Sequence, residues 1–429
     1  MRRADVDVES RGGETAPLMA GTSAPSGGFR DAHLDNCKFF LMCAVVFNHC
    51  FQDYFEYVLD PTTGREWCAR DPPFFFRAAG ASAPPAALFS VARGAYLYLN
   101  LLGMPAFTFV SGHCTRGLAR AVARGDGSSL ASRSRRAVQT LLVPYVIWQT
   151  FYLLYNYVDV YPVQAWSPVG VTWYLSALFA WRASVPYLAR LRGRVPALFL
   201  VGLAVGFTDT PVTENGLPFL DFQRLVAFAP FFYLGVESSE ARVATIKTLA
   251  RPWGWIVTIA ALACFVVMIH AGVGCFDEMQ RWVWVMRPYE TGGGGDEGGG
   301  RASPWSGAAR RVLFYVAATF VGAGFASIVP SERTWYTAYG SRTMYAFLLH
   351  PLVARGTMSA FLGWAGSGAG RGLWITAAAS FVALPTLASA GLMAPWCKRW
   401  LGWLVEPDVG WIMWDDEDGK ANGEDGSSG

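Results

Sequence analysis

Ten stretches of hydrophobic residues alternate with more polar segments along this 429-residue chain. Nine of them reach about 20 residues, the length that an α-helix needs to cross a bilayer, and a shorter one at 195–209 either spans or re-enters. The pattern predicts an all-α integral membrane protein, a bundle of about ten transmembrane helices. The nine longer runs are 36–55, 91–112, 137–158, 170–189, 222–239, 253–272, 309–329, 338–357 and 373–395.

The first hydrophobic run carries several polar side chains. At helical spacing Lys38, His49, Gln52 and Asp53 fall on one stripe. An ionisable group at membrane depth is costly and usually faces the bundle interior or a water-filled cavity, where it is a functional candidate. Alternatively, His49 is an interfacial imidazole and Lys38 a charge that extends to the membrane surface. The rest of the circumference is apolar and is expected to face lipid: Phe40, Leu41, Ala44, Phe47 and Phe51.

The composition and the charge distribution also indicate a membrane protein. Hydrophobic residues make up 53% of the chain, and a net charge of +3 is too small to indicate a nucleic-acid partner. Arg and Lys cluster in alternate connections, including 116–136, 190–194 and 242–251, whereas the connection at 159–169 has neither. By the positive-inside rule, these clusters and both termini are predicted to be cytosolic, at a plasma membrane or an endomembrane.

Three segments have the composition of flexible chain. They are a cytosolic N-terminal tail at 1–30, a Gly-rich loop at 290–303 and an acidic C-terminal tail at 406–429. The functional membrane domain is therefore predicted to cover 31–405.

The eight cysteines contain no CxxC pair, so no metal site is predicted. Cys68 and Cys275 both fall in predicted outside loops, a compartment in which disulfides persist. The two either form a bridge or remain free.

Stretches in a fixed order along the chain resemble the acyltransferase 3 family, particularly its branch of fucose 4-O-acetylases and glucan-modifying acyltransferases. LDNCKFFLMCAVVFNH at 34–49 is similar to the family's first helix, in which a basic residue is followed after ten residues by His, here Lys38 and His49. Many members have Arg in place of Lys38, and His113 stands where the family has an aromatic residue. The other similar stretches are MPAFTFVSGHCTRG at 104–117, RRAVQTLLVPYVIWQ at 135–149, VTWYLSALFAWR at 171–182, FAPFFYLGV at 228–236, YGSRTMYAFLLHPLV at 339–353 and WLVEPDVGWI at 403–412.

The resemblance implies transfer of an acyl group, usually acetyl from acetyl-CoA, to a hydroxyl of a carbohydrate or related acceptor. Acyl-CoA is then a co-substrate, with no bound cofactor, and the expected partners are acyl-CoA, a carbohydrate or glycan acceptor and membrane lipids. A sugar hydroxyl needs a general base at neutral pH, and an imidazole suits that task. His49 is the candidate base, and Lys38 the charge that positions the ligand. The resemblance also marks His350 as part of the site, either packed behind the base or acting as the base itself.

Other polar residues are candidates for substrate binding. As the hydroxyl attacks, the thioester oxygen gains negative charge, which Ser111, Arg342 or another buried donor could stabilise. Arg116 begins an Arg cluster that suits the phosphates of CoA, or else it only fixes the topology. Gln52 and Asp53 are predicted to contact substrate because they continue the polar stripe of the first helix.

Two other classes of function remain open at this stage. A proton-coupled transporter could use Lys38, Arg182 and Arg342, although no inverted repeat or matched pair of broken helices is visible in the sequence. A catalytically silent sensor would leave the polar stripe unexplained. Consumption of acetyl-CoA by the purified protein, with acetyl appearing on a glycan, distinguishes an enzyme from both.

Overall fold

The computed structural model describes residues 31–58, 86–157, 166–209, 219–272, 279, 282–285, 288–289, 303–366 and 373–409, and the regular structure in these ranges is helical. The first helices are α1 (Ala32–Val58), α2 (Ala86–Arg124), α3 (Gly127–Ala137), α4 (Val143–Tyr157), α5 (Thr172–Leu188), α6 (Arg194–Ala204) and α7 (Phe222–Glu237). The others are α8 (Glu240–Ala250), α9 (Gly254–Ala271), α10 (Pro304–Ile328), α11 (Thr343–Gly366), α12 (Leu373–Leu392) and α13 (Pro395–Val405).

Ten of the thirteen described helices coincide with the hydrophobic runs of the sequence, which confirms the all-helical fold; α3, α8 and α13 lie almost wholly outside the runs. The short run at 195–209 forms α6 and a following 3₁₀ turn that ends at Phe207. At 1.5 Å per residue this segment is about 21 Å long, shorter than the hydrocarbon core of a bilayer. Within the described ranges, four helical segments are long and apolar enough to cross a membrane: Gly127–Tyr155, Phe219–Glu237, Gly254–Ala271 and Pro304–Ile328.

Helix α1 is surrounded by other helices. It packs against α2, α11 and α12. Leu41 is 0% exposed and Ala44 is 9% exposed. The prediction that this side of the first helix faces lipid is therefore wrong for these two residues, because neighbouring helices take the place of lipid there. Lys38 and His49 of the polar stripe are partly buried, and much of the described apolar side of α1 is buried in protein.

The start of α1 is held by hydrogen bonds to the segment that precedes α11. The Asn36 amide donates to the carbonyl oxygens of Pro330 and Glu332, at 2.9 Å each, and its oxygen accepts from the Thr337 hydroxyl at 2.7 Å. These bonds satisfy a fully buried side chain that would otherwise be costly. They fix the end of α1 relative to α11.

Contacts between the helices define their relative directions. Asp35 packs against Gly340 just before α11, and His49 lies beside His350 further along, so α1 and α11 run in the same direction. Helix α2 runs in the opposite direction to α1, because Asn48 contacts Asn100 while Val45, earlier in α1, contacts Gly103, later in α2. Of these three helices, α2 is therefore directed opposite to α1 and α11, as alternate crossing of a membrane requires for hydrophobic runs in these positions.

Glycines allow α2 and α7 to approach closely. A Cβ on Gly112 would overlap the carbonyl oxygen of Phe232, and one on Gly235 would overlap that of Phe109. Small residues serve this purpose at helix crossings in membranes. The Ser-Gly dipeptide of the sequence motif is thus explained at Gly112 by backbone packing.

Some predicted features lie outside the described residues. They are the N-terminal tail at 1–30, the Gly-rich loop up to residue 302, the tail from residue 410, and Cys68 with Cys275.

Candidate active site

His49 of α1 and His350 of α11 lie side by side. Their ring centroids are 4.8 Å apart, with the ring planes inclined at 46°. His350 has no exposed surface, whereas His49 is partly exposed. Because α1 and α11 run in the same direction, residues far apart in sequence reach the same depth. The candidate base and the second His of the family motif therefore share one site.

Hydrogen bonding fixes the protonation pattern of the His350 ring. Its Nδ1 lies 2.8 Å from the carbonyl oxygen of Ala346. Because a carbonyl only accepts, Nδ1 must carry a hydrogen, and in the neutral ring Nε2 then carries the lone pair. Nε2 is buried and has no hydrogen-bond partner among the described residues. The ring therefore offers an acceptor inside the bundle.

An amide pair supports the helix turn that carries His49. The Asn48 amide donates to the side-chain oxygen of Asn100 at 3.1 Å, and the Asn100 amide donates back at 2.6 Å. Asn100 also donates to the carbonyl oxygen of Tyr96 at 2.9 Å. These bonds join α1 to α2 next to His49. This pair was not predicted from the sequence, although two Asn residues within apolar runs are a usable signal.

Ser111 connects to the histidine site through aromatic side chains. The Tyr174 hydroxyl donates to Ser111 Oγ at 2.9 Å. The Tyr174 ring lies 5.7 Å from the Phe347 ring, which is 6.3 Å from the ring of His350. Tyr174 was not among the residues singled out from the sequence. It links the Ser-Gly motif of α2 to the Leu-His motif of α11.

A buried arginine extends these polar groups toward one end of the bundle. Arg182 lies on α5, about two helical turns beyond Tyr174. Its Nε is buried without a hydrogen-bond partner among the described residues. Its titratable neighbours include Cys114, Tyr174 and Arg136. Since Arg136 belongs to the Arg cluster at 116–136, polar groups lead from the histidines toward that basic end.

Lys38 and Arg342 lie away from the two histidines. Lys38 Nζ is 3.3 Å from the Asp35 carboxylate, and Lys38 is roughly 16 Å from His49 along the helix axis. Arg342 Nε donates to the carbonyl oxygen of Met393 at 2.6 Å. The roles predicted for them, ligand positioning by Lys38 and oxyanion stabilisation by Arg342, remain predictions. In this arrangement neither side chain lies beside the two histidines.

The other predicted binding residues have separate surroundings. Arg116 lies at the basic end, where its guanidinium donates to Glu240 at 3.0 Å and to the carbonyl oxygen of Ser238 at 3.3 Å. Gln52 and Asp53 belong to α1 one turn beyond His49, and their side chains lie outside the described part of the structure.

Long apolar helices and two adjacent histidines inside the bundle define a helical membrane protein with a site suited to acid–base chemistry. Comparison with known families specifies it further: the acyltransferase 3 family, described as an acyltransferase domain, matches residues 31–394. The chain therefore belongs to this family and is a membrane-bound acyltransferase. No curated protein and no solved structure matches the chain.

Proposed function

We propose that the protein transfers an acyl group, in particular acetyl, from acyl-CoA to a hydroxyl of a carbohydrate, as in the fucose 4-O-acetylase-like branch of the family. The observation that carries this proposal is the contact between His49 and His350 at 4.8 Å. A weak hydroxyl nucleophile needs a base of near-neutral basicity, and imidazole provides one.

The tautomer of His350 suggests which histidine is the general base and which one positions it. Since His350 Nε2 can only accept in the neutral ring, it suits an N–H of His49 after a small adjustment of the rings. That bond would leave the other nitrogen of His49 as the base. His350 then positions His49, in the way a hydrogen bond to one imidazole nitrogen usually orients the other.

In the reaction, His49 removes the proton as the sugar oxygen attacks the thioester carbon. The carbonyl oxygen becomes an oxyanion, which the Ser111–Tyr174 hydroxyl pair on the Phe347 side of the site is proposed to stabilise. Collapse of the intermediate expels the CoA thiolate, which takes the proton from His49. No covalent acyl-enzyme is needed, because donor and acceptor react directly.

The donor is proposed to enter from the end of the bundle that holds the Arg cluster. Arg182, with its buried Nε, lies between that end and Tyr174 and suits a phosphate or the polar arm of CoA.

The opposed directions of neighbouring helices support ten spans in a membrane domain over 31–405, with cytosolic termini in the plasma membrane or an endomembrane. In this arrangement Lys38, Arg116 and Arg342 lie in the cytosolic half of the bundle and are proposed to bind or position the donor. Gln52 and Asp53 lie at the opposite end and are proposed to bind the acceptor.

The test measures release of CoA and transfer of labelled acetyl from acetyl-CoA to glycans by the purified protein in liposomes. A general base contributes about 10²- to 10⁴-fold, so His49→Ala is expected to lose activity by that factor. His350→Asn is expected to lose less, because an amide still offers an acceptor. His270→Ala is the matched control, since His270 on α9 lies against Ser90, away from the pair.

The outcomes separate the assignments. Activity of His49→Ala within a few-fold of wild type would remove His49 as base, and a full loss in His350→Asn with His49→Ala active would transfer that role to His350. Uptake of a solute without any acetyl transfer would identify a transporter instead.

A further inference from the structure

A largely apolar cavity lies between α1, α2, α7, α8 and α10, at the basic end of the bundle. Its volume is about 110 Å³, in the range of cavities that stay dry and take up small apolar molecules. His33, at its edge, is already bonded to Cys37 and to the carbonyl of Pro330. Most of its lining is hydrocarbon, including Leu34, Leu41, Phe109, Phe231, Ala323 and Phe325. Such a cavity suits an acyl chain better than a sugar or a nucleotide.

The cavity reaches the surface on the side expected to face lipid. Two of its lining residues, Ile246 of α8 and Thr319 of α10, are exposed, Ile246 by 42%. Phe320, next to Thr319, is exposed as well. Helix α9, which packs against α10, has only 6% of its most apolar window buried. An opening beside such exposed apolar surface suits a ligand from the bilayer.

Basic and aromatic residues surround the mouth of this cavity. Lys247 of α8 lines it and donates to Ser331, and Arg251 follows one turn later on the surface. The tryptophans Trp253 and Trp335 nearby are 61% and 77% exposed, as is typical of side chains at headgroup level. Helix α8 and its cap carry three cations against one acid, Glu240, which is paired with Arg116. The mouth therefore has positive charge available at the membrane surface.

We propose that this cavity binds a short part of one acyl chain of an anionic glycerophospholipid, whose phosphate lies against Lys247 and Arg251. The lipid fills the space between α1 and α10 and so becomes part of the wall of the bundle. Charge complementarity favours an anionic over a zwitterionic headgroup, because basic residues near the surface attract the negative phospholipid. The inference is independent of the transfer reaction, since it uses neither histidine.

The test uses full-length protein in nanodiscs that contain phosphatidylglycerol with a photoactivatable diazirine in its acyl chain. Crosslinks are expected on 322–326 and 34–41, mapped by peptide mass spectrometry. Ala323→Trp, or the milder Ala326→Leu, fills the cavity and should abolish these crosslinks. Val316→Trp is the matched control, because Val316 is exposed on the same helix but does not line the cavity.

A second measurement examines the headgroup. Lys247→Gln should reduce the preference for phosphatidylglycerol over phosphatidylcholine by about fivefold, as expected for one basic residue at the surface. Equal labelling in Ala326→Leu and wild type would show contact with bulk lipid only and overturn the proposal. Displacement of the probe by long-chain acyl-CoA, but not by excess phospholipid, would also overturn it and assign the cavity to the acyl donor.

Discussion

Removal of one amide of the Asn48–Asn100 pair is expected to weaken the contact between α1 and α2. Asn48→Leu breaks two hydrogen bonds, of 3.1 and 2.6 Å, and leaves part of the buried Asn100 side chain unpaired. A net hydrogen bond is worth about 0.5–1.5 kcal/mol, and side-chain bonds within membranes average about 0.6 kcal/mol. With the cost of an unpaired buried amide, we expect a loss of about 1–3 kcal/mol.

A double-mutant cycle separates this interaction from side-chain packing. Asn48→Leu and Asn100→Leu are compared singly and together by reversible steric-trap unfolding in bicelles. Because each single change strands the partner amide, the double variant should cost less than the sum, with a coupling energy of about 1–2 kcal/mol. Additive effects would show that the two amides do not stabilise the folded state through each other. That result would also remove the support proposed for the turn that carries His49.

Two further predictions concern positions outside the histidine pair. Gly340→Val places a Cβ against the carbonyl oxygen of Asp35, so α11 should shift away from α1. The rate of acyl transfer should then fall on the order of 10²-fold. In the control variant Gly356→Val the new side chain meets open space, and the rate should stay unchanged. Hydrogen bonds from two serines lower the pKa of Asp126 from 3.8 to about 2. Its contribution to α3 is therefore present above about pH 4 and lost as the pH falls toward 2. Hydrogen exchange of α3 should report that loss, and Asp126→Asn should abolish the pH dependence.

The sequence predicts the helices well because hydrophobic runs of sufficient length have few alternatives in a membrane. Helices α3 and α8 were not predicted, because they are polar and form no hydrophobic run. Both begin with a capping side chain, since Asp126 accepts from the backbone of Ser129 and Ser239 accepts from that of Arg242. These capping residues are the local signal that could have identified them. Hydropathy alone does not detect such helices.

Which residues meet across the bundle is harder to predict. His49 and His350 could be placed at similar depth, but their contact depends on how α1 and α11 pack, which no local pattern encodes. The lipid-facing side of α1 was misjudged at Leu41 for the same reason, since an apolar side chain suits lipid and protein equally well. The sequence places Lys38 on the same helical stripe as His49. It does not determine which neighbouring group pairs with Lys38, and in the structure that partner is Asp35.

Unsatisfied buried groups lie where the substrates are proposed to bind. Folding selects partners for buried polar atoms, because an unpaired one is costly, and Asn36 with its three hydrogen bonds illustrates the usual outcome. His350 Nε2 and Arg182 Nε are among the buried atoms that lack a partner in the described part of the chain. They lie on either side of the Tyr174–Ser111 hydrogen bond. In the proposed reaction an N–H of His49 would supply the missing partner of the first and acyl-CoA that of the second, with the thioester between them.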